Sequence, residues 1–209
     1  MVSAIIELQI FGPVHVWLRM AGFRRVYIEQ HENYNKGSYR NRYYLMGSHG
    51  PQLLSIPLRQ GKNEQMPIRQ VQISHAEDWR QLHIRTIKAG YGNAPFFEHY
   101  MPQLESLLNN ADDALFDFSW QAFLWCVDKL KLDTSFVLSS SYGKNHPNFI
   151  DLRNTYRPNK EPMDPLPKYA QVFEDRLGFH SNISILDLIF CAGPEAATYV
   201  YNNKISVDT

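Results

Sequence analysis

Glu29-Gln-His-Glu-Asn-Tyr-Asn-Lys-Gly-Ser-Tyr-Arg-Asn-Arg42 places two acids, a histidine, a lysine, two arginines and two tyrosines in one short stretch. Arg40 and Arg42 stand two apart, so an extended segment turns both guanidinium forks to one face, with Lys36 and Ser38 in phase. Paired forks suit bidentate contacts with phosphate or carboxylate. The same alternation also describes an edge strand kept soluble by charge. Tyr39, Asn41 and Tyr43 take the opposite phase, and one of the two faces must meet the core. His31 and Glu32 follow the apolar run Val26-Tyr-Ile28, where α/β sheets place ligand-binding groups. Either could serve as a general base; a plain surface loop is the competing reading.

A second candidate base is His83. Trp79, His83 and Ile87 recur every four residues and share one helical face. A histidine on such a face is more often a core residue with both nitrogens satisfied than a catalyst. Here the helix ends in Gly90-Tyr-Gly-Asn93, and Phe96-Phe-Glu98 follows. That order brings Tyr91 and Glu98 within reach to orient the imidazole. His83 with Glu98, then His31 and Glu32, are therefore the catalytic candidates. His75 with Glu77, and Glu98 with His99, lack zinc-ligand spacing, so no metal site is expected and no cofactor is implied. A P-loop, a GxGxxG turn, a GxSxG elbow and a CxxC pair are all missing from the sequence.

The elements that must position these groups read as one α/β domain spanning residues 1–209. Apolar residues make up 44% and charged residues 20%, the balance of a folded chain rather than a disordered one. Basic and acidic residues both number 21, and a net charge of zero argues against broad nucleic-acid binding. Cys126 and Cys191 sit in apolar, helix-like runs and read as buried free thiols of a reducing compartment. The first ten residues lack a basic region, and nothing approaches the ~20 apolar residues of a membrane span. A cytoplasmic protein without a membrane span is expected.

Ala4 to Phe11 reads as a strand, Pro13 to Gly22 as a short helix and Arg24 to Glu29 as a second strand. This early β-α-β unit leads into a hairpin, Tyr43–Met46 with Leu53–Leu58, around Gly47-Ser-His-Gly-Pro51. A mobile loop is expected at 59–65 and a brief strand at Val71–Ser74. Helices are expected from Trp79 to Gly90, capped by Ser74 or Asp78, from Phe96 to Leu108 and from Phe116 to Leu132. A strand at Ser135–Ser139 follows, then a long irregular loop over 145–167, then helices on either side of Gly193-Pro194. The fold class is a mixed-sheet α/β with several packed helices.

Several of these pieces together resemble the WbqC-like proteins of bacteria. They are Glu29-Gln-His-Glu-Asn-Tyr34, Ser38-Tyr-Arg-Asn-Arg42, the Trp79 and His83 helix with Tyr91-Gly92, and Pro95-Phe-Phe-Glu-His-Tyr100. Asp151-Leu-Arg153, Tyr169-Ala-Gln-Val-Phe-Glu-Asp175 and Asn182-Ile-Ser-Ile-Leu-Asp-Leu-Ile-Phe190 continue the resemblance in order, from about Phe11 to Tyr201. Gly37 stands where the family pattern has Gln, and Ala170 where it has Pro. The resemblance adds Asp151, Arg153, Gln171, Glu174 and Asp175 to the candidate ligand-binding residues, beside Lys36, Ser38, Tyr39, Arg40, Asn41, Arg42 and Tyr91. It implies a shared cleft built from several segments.

What the resemblance implies for function is a role in O-antigen or other surface-polysaccharide biosynthesis. The first expectation is a transferase moving a glycyl, aminoacyl or acyl group from an unknown donor onto a nucleotide-linked or lipid-linked sugar. Arg40 and Arg42 would hold the diphosphate and His83 would take the proton. The alternative is a non-catalytic sugar-nucleotide-binding or scaffold protein of the same pathway. A third, weaker reading is nucleotidyl transfer, from Gly12-Pro-Val-His15 after the first strand, although the full phosphate-binding motif is missing.

Overall fold

The apolar runs around Ile5 and Ile28 belong to strands with almost no exposed side chains, the pattern of a sheet covered on both faces. In the computed structural model, which describes residues 3–59, 65–144, 149–158, 160 and 166–205, β1 (Ser3–Glu7) leads through α1 (Val14–Ala21) to β2 (Arg25–Glu29). β1 and β2 are parallel, in register Ala4↔Val26 to Glu7↔Glu29, so the short crossover is a true parallel unit. β3 (Arg42–Gly47) and β4 (Gly50–Ser55) form the antiparallel hairpin. Three helices follow: α2 (Trp79–Tyr91), α3 (Phe97–Asn109) and α4 (Leu115–Leu130). β5 (Ser135–Leu138) and β6 (Phe149–Asp151) complete a four-stranded parallel sheet of order β5-β2-β1-β6. α5 (Glu174–Leu177), α6 (Ile185–Ala192) and α7 (Glu195–Asn202) close the described chain.

One hydrophobic cluster runs from Ala4 in β1 to Val200 in α7. Trp17 of α1 stacks on Phe123 of α4 with centroids 4.9 Å apart, and Trp120 stacks on the same ring at 5.5 Å. Such pairs contribute roughly 0.5–1.5 kcal/mol each beyond area burial. The hairpin docks on α2 where a Cβ on Gly90 would stand 2.5 Å from the Met46 carbonyl oxygen, so only glycine permits that approach. Asp78 caps α2, accepting from the Gln81 backbone N–H. Ser184 caps α6.

Several elements differ from the sequence reading. β1 stops at Glu7, and the chain turns through Phe11, whose φ of +43° an aromatic residue rarely adopts. Lys36 to Asn41 form turns rather than a strand, so Arg40 and Arg42 share no strand face. The Val71–Ser74 segment makes only single bridges, Gln72 to Ala114 and Ile73 to Leu58. β6 arises inside the segment read as irregular. Much of the two expected loops, at 60–64, 145–148, 159 and 161–165, lies outside the described residues. Among the described residues no helix is long and apolar enough to cross a membrane.

Candidate functional site

Every strand of the parallel sheet delivers a polar group at its carboxyl end. Glu7 closes β1 and Glu29 closes β2, and the two are register partners with 1% and 0% exposure. Ser139 follows β5, while Asp151 ends β6 two residues before Arg153. The order β5-β2-β1-β6 reverses between β1 and β6, the switch point where open α/β sheets bind ligands. Sequence motifs had not marked Glu7 or Ser139, nor Glu29 itself as a site residue. The available signal was that two apolar strand cores, Ala4-Ile-Ile and Val26-Tyr-Ile, each close on a glutamate.

Buried carboxylates must collect donors. Glu7 Oε1 accepts from the Gln9 amide at 2.8 Å, and its Oε2 accepts from the Asn154 backbone N–H at 2.8 Å. Glu29 Oε1 accepts from the Ser139 hydroxyl at 2.7 Å and the His31 backbone N–H at 2.8 Å. Its Oε2 meets Arg153 at 3.2 Å. Arg153 grips Asp151 with two further bonds, of 3.0 and 2.7 Å, and lies 5.3 Å from the Tyr142 ring centroid.

Beside these groups opens a cleft of about 260 Å³, lined by His31, Glu32, Asn33, Asn35, Arg40, Tyr142 and Asn154. Glu32 and Arg40 form a bidentate pair inside its wall, at 2.7 and 2.6 Å, and both are buried. Burial raises the Glu32 carboxyl, Arg40 opposes that shift, and Glu7 and Glu29 add to it. Asn35 Nδ2 donates to Asn154 Oδ1 at 3.0 Å, joining the β2–β3 connection to the segment after β6. Asn154 holds a left-handed φ of +59°, a conformation asparagine tolerates better than most residues.

His31 is exposed, and its Nε2 lies 3.1 Å from the Ser139 carbonyl oxygen. A carbonyl only accepts, so Nε2 carries the proton, and the neutral ring keeps its lone pair on Nδ1. The ring is thus oriented from behind, with one basic nitrogen unclaimed among the described residues.

The other candidates lie elsewhere. His83 is 1% exposed; its Nε2 donates to Ser55 O at 3.3 Å, so its Nδ1 accepts from the Tyr43 hydroxyl at 2.9 Å. Burial lowers its pKa to about 4. Wedged edge-on against Trp79 and Tyr43, it is a core histidine with no nitrogen left for a substrate. Glu98 is exposed in the first turn of α3 and gives His83 no support. Tyr91 is fully buried, with its hydroxyl accepting from the Met46 N–H at 3.0 Å.

Lys36 is exposed in a turn, and the Ser38 hydroxyl closes that turn on Asn35 O at 2.6 Å. Tyr39 donates to Asn182 Oδ1 at 2.8 Å, and Asn41 bridges Tyr34 and Ile56. Arg42 opens β3, half-buried, opposite Ser55. Gln171 belongs to a second polar cluster, where it and Tyr169 donate to the fully buried Asp187 at 3.0 and 2.7 Å. Glu174 lies within 3.4 Å of the Gln171 N–H, and Asp175 is exposed on α5. The structure therefore brings His31, Glu32, Arg40, Asp151 and Arg153 together. Asn35, Tyr142 and Asn154 join them, unmarked by any motif.

Around this cleft, among the described residues, Arg40 pairs with Glu32, and Arg153 pairs with Glu29 and Asp151. Arg40 holds Glu32 through Nε and Nη2 while Arg42 stands on β3 outside the cleft lining, so the two guanidinium groups do not form the shared face that an extended segment would give. A neutral ligand rich in hydroxyls or amides fits the remaining donors and acceptors better. Among the described residues no group of three or more His, Cys, Asp or Glu could hold a metal ion. Comparison with curated proteins and with solved structures finds no match. The model of the WbqC-like protein family matches residues 19–159, well over half of the chain and including all of the cleft-lining residues. The motifs at Tyr169–Asp175 and Asn182–Phe190 fall beyond that match. By that match, the chain belongs to the WbqC-like protein family.

Proposed function

We propose that the cleft binds a sugar and that the protein is a transferase of surface-polysaccharide biosynthesis, acting in the cytoplasm. It places a glycyl, aminoacyl or acyl group on a hydroxyl or amine of a nucleotide-linked or lipid-linked sugar. The observation that carries this reading is His31, with Nε2 fixed on Ser139 O and Nδ1 unclaimed at the cleft. In the transfer, Nδ1 takes the proton of the attacking hydroxyl or amine as the new bond to the acyl carbon forms. The donor's leaving group departs from that carbon. Asn35, Asn154 and Tyr142 are suited to hold the sugar's polar edge and ring face.

The test is a strain whose surface polysaccharide carries such a substituent, read by mass spectrometry. His31→Ala should remove the substituent with the protein folded, while His49→Ala, in the exposed hairpin turn, should leave it in place. Full decoration with His31→Ala would overturn His31 as base. That result would favour the second reading, a non-catalytic binding or scaffold protein. The mutual pairing of the site's charges supports this alternative, because it leaves the cleft preformed for binding without chemistry.

A further inference from the structure

A second concavity of about 360 Å³, within the ~300–1,000 Å³ range of ligand pockets, lies between the hairpin and the loop before α6. Its walls include Tyr44, Pro158, Phe179, His180, Ser181 and Asn182. Two half-buried aromatic rings face a set of small polar groups there, the composition that lets a sugar ring pack its C–H face while its hydroxyls bond at the edges. Asn182 Oδ1 is occupied by the Tyr39 hydroxyl, so the carboxamide is held with its Nδ2 donors unclaimed among the described residues.

The loop is built rather than loose. Gln171 Nε2 donates to His180 O at 3.0 Å, and Gln171 Oε1 accepts the His180 N–H at 2.8 Å. Gln171 is itself fixed by the buried Asp187 carboxylate. Val14 N–H donates to Ile183 O at 3.0 Å, and Ser184 N–H to Tyr44 O at 2.9 Å. This accounts for the Asp187 cluster: it rigidifies a wall of the pocket.

The two concavities share structure. Arg40 lines the first, while its neighbour Tyr39 bonds Asn182 in the wall of the second. Asn154 lines the first and Pro158 the second, a separation of at most roughly 14 Å along extended chain. We infer that the Tyr44–Phe179–Asn182 pocket is a second sugar subsite, so that the ligand is an oligosaccharide spanning both concavities. This rests on the sugar reading of the first cleft.

The test is calorimetric titration of the whole protein with N-acetylglucosamine and with its β-1,4-linked dimer and trimer. The trimer should bind about tenfold or more tighter than the monomer. Tyr44→Ala should erase that gain with monomer affinity unchanged, and Tyr44→Phe, which keeps the ring, should retain it. Equal affinities of monomer and trimer, a gain that survives Tyr44→Ala, or no binding by any of the three overturns the second subsite. Trimer binding that depends on Tyr44 but is indifferent to His31→Ala and Asn35→Ala leaves this subsite standing and sinks the first cleft alone.

Discussion

Glu7 and Glu29 are register partners at the carboxyl ends of adjacent parallel strands, and neither has appreciable access to solvent. Neighbouring strands lie about 4.8 Å apart, so two like-charged side chains share one buried edge. Their separate donor sets make this tolerable. Gln9 and Asn154 serve Glu7, and Ser139, His31 and Arg153 serve Glu29. The cleft wall is thus organised by acids that themselves point at protein donors.

Removing Glu29 should therefore reach beyond its own bonds. Glu29→Ala removes the acceptor of the Ser139 hydroxyl and the His31 N–H and leaves Arg153 paired with Asp151, and a loss of about 2–3 kcal/mol is expected. Glu29→Gln keeps the shape and one acceptor and should cost about half as much. Urea unfolding of both variants checks the order.

The Arg40–Glu32 pair separates a structural from a ligand-holding arginine. Arg40→Ala leaves a buried carboxylate unpaired and should destabilise by about 3–5 kcal/mol even without ligand. Replacing both residues together, Arg40→Met with Glu32→Leu, should cost less than the single change. Equal stability of Arg40→Ala and the parent in thermal unfolding would contradict the pairing.

His15 and His83 predict an acid-labile fold. Burial lowers both pKa values from 6.5 to about 4. Between those limits the unfolded chain binds more protons than the folded one, so stability rises with pH across the window and is lost as pH falls through it. The full contribution is roughly 3 kcal/mol per histidine at most. Unfolding free energies measured from pH 4 to pH 7 should show this slope, and His83→Gln should flatten it.

Asn154 should tolerate glycine better than alanine. Its φ of +59° is free for glycine but costs a Cβ-bearing residue about 1–2 kcal/mol. Both changes lose the bond to Asn35 and keep the backbone bond to Glu7. Asn154→Ala should accordingly unfold at lower urea concentration than Asn154→Gly.

The sequence exposed the periodic elements because their signals are local. Trp79, His83 and Ile87 marked α2 to within a residue, and Gly47 to Pro51 marked the hairpin, although its second strand begins at Gly50, three residues earlier than expected, because the turn is only Ser48-His49. The face sharing of Arg40 and Arg42 failed because it assumed an extended chain, whereas Ser38 closes a turn onto Asn35. His83 misled as base because a helical face shows which residues go inward but not what they meet there; Tyr43 and Ser55 arrive from forty and twenty-eight residues away. Glu7 and β6 were illegible for a related reason. A three-residue strand has no period of its own, and only pairing with β1 defines it.

That pairing also sets an order of events. β6 joins the first strand across most of the chain's length, and Arg153 and Asn154 reach Glu29 and Glu7 only through it. Contacts so distant in sequence form late, after the loop-closure entropy between them has been met. On the ribosome, β1, α1 and β2 emerge long before their last partner does. The acids at the sheet edge must wait without their final donors, and a chain interrupted before residue 149 has a nascent sheet but lacks the Asn154 wall of the cleft.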